Sequence, residues 1–235
     1  MKKKQKFNYL NVKSRARREL RVPFLLVLFF FFSPALVILL FFPMHLEGGC
    51  ILLTNLGIVV FLFLLYFSRD PERIITGTQK DILCPADGII VGVESVENVP
   101  GIKGRYNCIS IYLNAFNIHV QRMPVAGKIA KITRLTGGFL PAFNKNAGMK
   151  NRQNVYHVEG DIQVVVRQIA GVLVHRPVSW VKPGDFLKAG ERFGMITFGS
   201  RVELYVPINC RIIAKEGDKV KGGIDILAKI VKKNR

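Results

Sequence analysis

The chain has 235 residues, of which 35 are Lys or Arg and 16 are Asp or Glu, giving a formal net charge of +19. Hydrophobic residues still make up 49% of it, which excludes a disordered basic tail and is rare for a plain nucleic-acid-binding domain. Charge and hydrophobicity are segregated along the sequence. Residues 1–21 carry nine basic side chains, residues 22–68 carry none, and residues 69–235 carry 26.

Two apolar runs fill residues 22–68. The first, 22–46, has no fixed charge and is long enough to cross a hydrocarbon core of about 30 Å, and the second, 50–68, is near the lower limit. With the Glu-Gly-Gly turn at 47–49 between them, they predict a transmembrane helical hairpin. Two prolines in the first run leave a shallow re-entrant hairpin open. Basic residues on both sides predict a cytoplasmic tail at 1–21 and a domain on the cytoplasmic face of the cell membrane.

The third segment, residues 69–235, is large enough for one domain with its own core. From Asp81 onward it consists of short β-branched runs broken by Gly, Pro, Asn and Asp, without a long helical apolar period. These features predict a mainly β domain. The predicted strands are Ile89–Val93, Cys108–Leu113, Ile118–Arg122, Lys128–Leu135, Ile162–Ala170, Glu191–Val206, Arg211–Ala214 and Ile224–Val231.

An internal repeat refines this prediction. Residues 181–191 (VKPGDFLKAGE) recur at 214–224 (AKEGDKVKGGI), with Lys, Gly, Asp, Lys and Gly in matching places. Gly-Asp supplies a tight turn and the later Gly a second one, so each copy predicts a strand-turn-strand unit. The pattern resembles the turns of lipoyl- and biotinyl-type domains, and it favours a barrel-sandwich-like β domain behind the hairpin.

The stretch at 195–206 (MITFGSRVELYV) contains the first candidate for chemistry. Alternate residues of an extended strand share a face, so we expect Ser200 in the middle of an apolar face. Gly199 weakens the strand and lets another group approach the backbone. A β-bulge at Gly199, with a serine that bonds a backbone carbonyl, explains the same pattern without any chemistry and stays open at this point.

Two further stretches carry polar candidates. Asp87-Gly88 follows a proline, which is typical of an ordinary turn. His119 shares its strand face with Asn117 and Gln121, an arrangement more often found for a solvated histidine. The four histidines and four cysteines show no metal-ligand spacing and no CxxC pair, so neither a metal site nor a disulfide framework is predicted.

Together, these stretches resemble the short, archaeal-type form of phosphatidylserine decarboxylase proenzymes. The matching pieces occur in the family's order over most of residues 81–210. They are PADG at 85–88, NIHVQRMPVAG at 117–127, RQIAG at 167–171, WVKPGD at 180–185 and RFGMITFGSRVELYVP at 192–207. Each piece is weak alone, whereas the ordered set behind two apolar runs is specific.

The resemblance implies a proenzyme that cuts its own chain between Gly199 and Ser200. The Ser200 hydroxyl attacks the preceding carbonyl, and the resulting ester is eliminated and hydrolysed to a pyruvoyl group, which is the covalent cofactor. The products are a large fragment, 1–199, and a small fragment, 200–235, which stay associated. A serine hydroxyl is weakly nucleophilic, so this reaction needs a nearby base.

By the same resemblance, the mature enzyme decarboxylates phosphatidylserine in the membrane to phosphatidylethanolamine. The pyruvoyl carbonyl condenses with the serine amine of the lipid and accepts the electrons released with CO2. His119, with Asp87 behind it, supplies the base for Ser200 in a Ser/His/Asp arrangement, and His119 is also the candidate acid of the decarboxylation. Association into a homo-oligomer is left open, and no metal or nucleic acid is expected to take part.

Three positions depart from the family pattern. Long-form relatives carry a second histidine where this chain has Arg122, so His119 has to serve both steps or the cut uses another base. Short-form relatives commonly show a Glu in an Asn-Glu-Arg-Asn-like element, whereas this chain has NRQN at 151–154. Cys84 stands where relatives often have a small residue such as serine, and we expect little effect.

Two other functions agree with part of the sequence. A non-catalytic, membrane-anchored barrel-sandwich adaptor module explains the repeat and the basic surface, but it gives no reason for the Gly199-Ser200 context. A nucleic-acid-binding membrane protein requires basic residues clustered with exposed aromatics. The basic residues of this domain are scattered along predicted strands and turns instead, so the sequence favours the decarboxylase.

Overall fold

The structure, a computed structural model, describes Leu25 and residues 47–138, 140, 147–171, 177–196 and 199–231. The chain divides into two compact units, Met1–Asp70 and Pro71–Arg235. The predicted boundary at residue 69 therefore lies within two residues of the division between the units.

The first unit contains helix α1 (Glu47–Phe67), which includes residues 47–49 and most of the second apolar run, so the prediction of a Glu-Gly-Gly turn at 47–49 is wrong. Behind its last turn, Arg69 Nη1 donates a hydrogen bond to the Tyr66 carbonyl oxygen at 2.9 Å and the guanidinium lies 3.7 Å from the centre of the Tyr66 ring. A cation at this end complements the helix dipole. Among the described residues, none of the helices has the length and hydropathy of a membrane span.

The rest of the N-terminal prediction lies outside the described residues. The first apolar run, 22–46, is described only at Leu25, and the basic tail at 1–21 is not described. The helical hairpin and its orientation therefore stay predictions.

The second unit is built mainly from short strands, which confirms the prediction of a mainly β domain. The elements of this unit are β1 (Asp81–Leu83), β2 (Gly88–Val99), β3 (Ile102–Leu113), β4 (Val120–Arg122), β5 (Gly127–Leu135), α2 (Ala147–Lys150), β6 (Gln153–Gly160), β7 (Gln163–Ile169), β8 (Val178–Ser179), β9 (Phe186–Leu187), β10 (Arg192–Met195), β11 (Ser200–Pro207), β12 (Arg211–Ile212), β13 (Lys219–Val220) and β14 (Ile226–Lys229).

These strands form three antiparallel sheets. The largest has eight strands in the order β13-β2-β3-β11-β7-β6-β5-β9, and the two smaller sheets have the orders β1-β14-β12 and β4-β10-β8. β11, which begins at Ser200, lies inside the large sheet between β3 and β7. The strand that carries the candidate cleavage site is therefore held on both sides by backbone hydrogen bonds.

The two copies of the internal repeat occupy equivalent places at opposite edges of the large sheet. β9 pairs with β5 at one edge, and β13 pairs with β2 at the other. In each copy an Asp side chain accepts a hydrogen bond from the backbone N–H of the Lys three residues before it, at 3.0 Å for Asp185 and 2.9 Å for Asp218. Gly184 and Gly217 have φ angles of +96° and +92°, which glycine adopts without strain.

A second repeat is visible only in the structure. The turns at 85–88 and 124–127 share a Pro-x-x-Gly pattern, and each proline carbonyl accepts a backbone hydrogen bond from the strand beside the other turn, at 2.8 Å for Pro85 and 2.9 Å for Pro124. The two turns therefore exchange equivalent backbone hydrogen bonds. Ala126 stands where the first copy has Asp87, so the turn itself does not require a carboxylate there.

The prediction of one long strand over 191–206 is wrong. The structure has two strands instead. β10 ends at Met195, and β11 begins at Ser200. From Ser200 to Val206 every even-numbered side chain is fully buried, which confirms the predicted apolar face. β6 was not predicted, because buried polar residues follow one another at 153–154 and hide the alternation of the strand.

Candidate active site

Ser200 is fully buried at the first position of β11, where it pairs with Leu113 at the end of β3. Its Oγ has no hydrogen-bond partner among the described residues. A buried polar group without a partner costs roughly 1–3 kcal/mol, and such groups call for a functional explanation. The alternative expectation, a serine satisfied by a backbone carbonyl, is not met within the described part of the chain.

Gly199 has the backbone conformation that a side chain rarely adopts. Its φ angle is +61°, in the left-handed region, and among the described residues, its two chain neighbours apart, none has an atom within 4 Å of the place where a Cβ would stand. Glycine is therefore required here by conformation and not by crowding. Without a Cβ, Gly199 puts no side chain of its own in the way of the Ser200 oxygen as it approaches the preceding carbonyl.

His119 lies immediately before β4 and is buried, with 1% of its surface exposed, so the expectation of a solvated histidine is wrong. Its carbonyl oxygen accepts a hydrogen bond from the Ile196 N–H at 3.1 Å. Ser200 follows Ile196 by four positions, which limits the distance between their Cα atoms to about 14 Å. Leu113, the partner of Ser200, precedes His119 by six positions. The structure thus brings the His119 and Ser200 segments into the same region of the domain.

Asp87 is buried, and its carboxylate is held by an arginine that the sequence did not mark. Arg73 Nη1 donates to Asp87 Oδ1 at 2.6 Å, and Arg73 Nη2 donates to Oδ2 at 2.8 Å. The Gly222 N–H donates to Oδ1 at 2.8 Å, and Arg73 Nη1 also donates to the Gly222 carbonyl. This bidentate, charge-assisted geometry is strong. The predicted place of Asp87 behind His119 stays a prediction.

Arg122, at the position of the second histidine of long-form relatives, bonds the backbone of two neighbouring segments. Its Nη1 donates to the Gly190 carbonyl at 3.2 Å, and its Nη2 donates to the Pro71 carbonyl at 3.0 Å. A guanidinium stays protonated in proteins, so Arg122 is not a base. Of the histidine positions that the resemblance points to, only His119 is a histidine in this chain.

The NRQN element at 151–154 connects several parts of the domain. Asn151 bonds both backbone groups of Leu140, at 2.7 and 2.6 Å, and the Ala170 carbonyl at 2.7 Å. Gln153 Nε2 donates to the Gly148 carbonyl at 2.7 Å. Arg152, at the place of the Glu of short-form relatives, is half-buried. The element therefore has a structural role in this chain, whatever the missing Glu does elsewhere.

The face of β11 opposite to Ser200 carries a buried group of charged side chains. Glu203 binds Arg167 at 3.2 Å and Arg201 at 3.0 Å, and it accepts a hydrogen bond from the Tyr205 hydroxyl at 2.5 Å. Burial, together with the charge of Glu203, raises the pKa of Tyr205, so this hydroxyl remains a donor. Two guanidinium groups thus share one carboxylate on the strand that begins at the cleavage site.

We expect Glu203→Gln to destabilise the protein by about 3 kcal/mol, because the change leaves two buried arginines without their anion. The measurement is the midpoint of thermal or urea unfolding in detergent. Glu97→Gln is the matched control, because Glu97 meets Arg105 at 3.8 Å in a pair whose side chains are 78% and 67% exposed, and exposed pairs contribute little. Equal midpoints for the two variants would contradict the prediction.

Cys84 precedes the turn that carries Asp87 and is completely buried. Its Sγ donates to the Ala86 carbonyl at 2.9 Å, and burial raises the pKa of the thiol. Since the thiolate is the nucleophilic form, this cysteine is chemically inert. The small effect expected for cysteine at this position agrees with that environment.

Comparison with known proteins agrees with the resemblance. The family model described as phosphatidylserine decarboxylase matches residues 60–228. A phosphatidylserine decarboxylase proenzyme of Carboxydothermus hydrogenoformans is 41% identical over 180 residues, which are 74% of this chain and 84% of the relative. The one of Desulfotalea psychrophila is 37% identical over 192 residues, 79% of this chain and 87% of the relative.

A proenzyme of the same name from Ehrlichia ruminantium is 40% identical over 181 residues, covering 74% of this chain and 79% of the relative. The matched region of the family model includes β1 to β13, and with them Asp87, His119 and the Gly199–Ser200 bond. The chain belongs to the phosphatidylserine decarboxylase family.

Proposed function

We propose that the protein decarboxylates phosphatidylserine to phosphatidylethanolamine after cutting its own chain between Gly199 and Ser200. The observation that carries the proposal is the fully buried Ser200 hydroxyl, which has no hydrogen-bond partner among the described residues and directly follows a left-handed glycine. The names of the relatives support the substrate and the proenzyme character.

The cut rearranges bonds between two residues of the chain. The Ser200 Oγ attacks the carbonyl carbon of Gly199, the peptide C–N bond breaks, and an ester joins the two segments. Elimination then releases the Gly199 carboxylate and leaves a dehydroalanine at position 200. Addition of water and loss of ammonia turn this residue into a pyruvoyl group at the start of the fragment 200–235.

His119 accepts the proton of the Ser200 hydroxyl in this proposal. Imidazole exchanges a proton near neutral pH, and the arginine at 122 leaves His119 as the base that the resemblance offers. Burial supports this role, because a water-excluded site strengthens the interaction of a base with its partner. Asp87, fixed by Arg73, is proposed to orient the histidine segment.

The described residues around position 200 suit a pyruvoyl group, because that group is small and position 200 is fully buried at the start of β11. That group supplies a carbonyl that takes up the electrons left when CO2 departs. In the decarboxylation His119 holds the proton that returns to the carbon from which CO2 leaves. Position 200 and His119 are both buried, which excludes water from each of them.

The N-terminal segments attach the enzyme to the cytoplasmic face of the membrane in this proposal. Support comes from the apolar runs at 22–68, the nine basic residues before them and the exposed apolar side chains of α1, among them Leu52, Val59 and Leu62. Residues 69–235 contain 26 Lys or Arg and 14 Asp or Glu. Such a surface attracts an anionic leaflet and favours the anionic substrate over the zwitterionic product.

One membrane preparation tests both the self-cleavage between Gly199 and Ser200 and the attachment of the protein to the membrane. Membranes containing the full chain are washed with high salt and alkaline carbonate, and the denatured protein is analysed by mass. We expect fragments 1–199 and 200–235 in the membrane pellet, the small one lighter by one ammonia than a fragment that begins with serine. A single 26.5 kDa chain in membranes that decarboxylate the lipid would overturn the cut. Release of the large fragment by the wash would overturn the attachment.

The non-catalytic adaptor module makes the opposite prediction for the same measurement. It requires an intact chain and no release of CO2 from phosphatidylserine. The family assignment does not favour it, and it leaves the unpartnered hydroxyl of Ser200 unexplained.

A further inference from the structure

A series of buried hydrogen bonds leads from His119 into the large sheet. The His119 carbonyl oxygen accepts from Gln121 Nε2 at 2.7 Å, and Gln121 Oε1 accepts from Gln168 Nε2 at 2.8 Å. Gln168 Oε1 in turn accepts from the Tyr156 hydroxyl at 2.9 Å and from Asn154 Nδ2 at 3.1 Å. The exposed fraction is 0% for Gln121, Gln168 and Tyr156, and 3% for Asn154.

A single backbone carbonyl fixes the direction of the whole series. Because the His119 carbonyl only accepts, Gln121 must turn its amino group to it and its oxygen to Gln168. Gln168 must then donate to Gln121 and offer its own oxygen to Tyr156 and Asn154. Burial raises the pKa of Tyr156 to about 12, so its hydroxyl remains a donor at neutral pH. Only one arrangement of donors and acceptors satisfies every member, and such networks hold their side chains rigidly.

Gly194 on β10 leaves the space that this series needs. A Cβ at this position would lie 2.5 Å from the Val178 carbonyl oxygen and 3.0 Å from Gln168 Nε2. Gly194 also pairs with Gln121 across β10 and β4. This glycine belongs to the run RFGMITFGS, which ends at the cleavage site, so one stretch of sequence carries both the nucleophile and the room for the series.

The series joins the two segments that carry the predicted catalytic groups. Gln168 lies on β7 opposite Val202 of β11, two positions after Ser200. At the other end, Gln121 lies on β4 two positions after His119. The backbone of His119 is therefore bound through side-chain hydrogen bonds to β7, the strand that pairs with β11, and directly to the N–H of Ile196, which follows β10.

We propose that Gln121 and Gln168 are positioning residues for His119, in both the self-cleavage and the decarboxylation. They act through the backbone of His119, so they set where its imidazole stands relative to Ser200. The inference rests on the proposed function. A displacement of about 1 Å at a catalytic group lowers a rate about 100-fold, so loss of the series has a large kinetic effect.

The test uses the full chain in detergent–lipid micelles with the variants Gln121→Met, Gln168→Met and the double variant. Methionine keeps the length of the side chain and removes the two hydrogen bonds of the Gln121 amide or the three of the Gln168 amide. With kcat normalised to the amount of cleaved enzyme, we expect each single variant to lower kcat by about 10- to 100-fold with KM changed less than about threefold. The first-order rate of self-cleavage falls as well. The kcat of the double variant is expected to be at most about threefold below that of the slower single variant, because both changes break the same series of hydrogen bonds.

Gln153→Met is the matched control. Gln153 is also a buried glutamine on the large sheet, with hydrogen bonds of 2.6 and 2.7 Å to Arg167 and Gly148, but it is not part of the series to His119. We expect this variant to lower the unfolding midpoint and to leave kcat unchanged within about twofold. A purely structural role of Gln121 and Gln168 predicts the same behaviour for all three glutamines, and that result would overturn the inference.

Tyr156→Phe provides a second measurement if the methionine variants do not fold. The change keeps the aromatic ring, which packs edge-on at 4.9 Å from Phe193, and removes one donor to Gln168. We expect kcat to fall about 3- to 10-fold, in line with one lost neutral hydrogen bond. An unchanged kcat in this variant would overturn the inference. A wild-type chain that neither cuts itself nor releases CO2 would instead refute the proposed function before any variant is compared.

Discussion

Ser200→Ala is expected to leave the chain in one piece and to abolish the decarboxylation of phosphatidylserine. Alanine lacks the hydroxyl that attacks the Gly199 carbonyl, so the chain is not cut. Without the cut, no pyruvoyl group forms at position 200. We expect activity to fall by at least about 10⁴-fold, as when a catalytic nucleophile is removed. The checks are the mass of the denatured chain and CO2 release from labelled lipid.

The same substitution should be nearly neutral for folding. The Ser200 hydroxyl is buried without a partner in the described part of the chain, so its removal relieves a desolvation cost and breaks no observed hydrogen bond. The unfolding midpoint of Ser200→Ala should therefore equal that of the uncleaved wild-type chain or lie above it. Normal processing in this variant would remove Ser200 from its role.

Ser110→Ala is the matched control for a hydroxyl on a neighbouring strand. Ser110 lies on β3 and pairs with Glu203 of β11, three positions after Ser200. Its hydroxyl is on the other face of the sheet, next to the Cys108 thiol at 3.9 Å. We expect this variant to cut itself and to turn over as the wild type does, which separates the loss of the nucleophile from a general effect of removing a strand hydroxyl.

Alternation of apolar residues was enough to predict most of the strands, because one face of each is buried. β5 and β7 match their predicted ranges to within one residue. The prediction failed where both faces are buried or where the backbone turns. The sequence shows no interruption before Ser200, yet β10 ends at Met195, β11 begins at Ser200, and Gly199 has a φ angle of +61°. In β6 the polar residues Gln153 and Asn154 are buried because the fold supplies partners for them.

Some residues of the candidate site are marked by the sequence around them, whereas others are recognised only by their contacts in the fold. Gly199 and Ser200 stand out locally, because a glycine and a serine inside an apolar strand break its pattern, but their role as the cleavage site was predicted from the family resemblance. Arg73, which binds Asp87, comes from a linker and carries no local signal, since one arginine among polar residues is unremarkable. Gln121 and Gln168 lie in two motifs separated by 47 residues, and only the pairing of strands shows that their amides meet.

Comparison of the two Pro-x-x-Gly turns indicates that the carboxylate at position 87 is not required by the turn. The turns at 85–88 and 124–127 share their backbone hydrogen bonds, yet only the first has an acidic residue, where the second has Ala126. A residue required by the turn would be expected in both copies. The Arg73–Asp87 pair is thus an addition to only one of the two turns.

His119→Ala is expected to lower the decarboxylation rate by about 10²- to 10⁴-fold, the range that a positioned acid or base contributes. The side chain is 1% exposed, so water does not readily replace the imidazole as a proton donor. The measurement is kcat per cleaved enzyme, with the fraction of cleaved chain determined by mass in the same sample. This normalisation is needed because His119 is also the proposed base of the cut.

His157→Ala is the matched control for the loss of a buried imidazole. His157 lies on β6 with 5% of its surface exposed, and burial, with the charge of Lys131, lowers its pKa. Its ring lies against Gly101, where an added Cβ would come within 2.8 Å of Cε1. We expect a lower unfolding midpoint for this variant, with kcat within about twofold of the wild type.

Comparison of the two reactions in His119→Ala then identifies the base of the cut. If both reactions fall together, His119 serves both, as we propose. If the chain still cuts itself at the wild-type rate while decarboxylation is lost, another group takes the proton of Ser200, and His119 acts only in the second reaction. Normal rates in both reactions would remove His119 from the site. Because Arg122 does not accept a proton, a separate base would have to come from Asp87 or from the segments next to the cleavage site, and variants of those residues would be compared next.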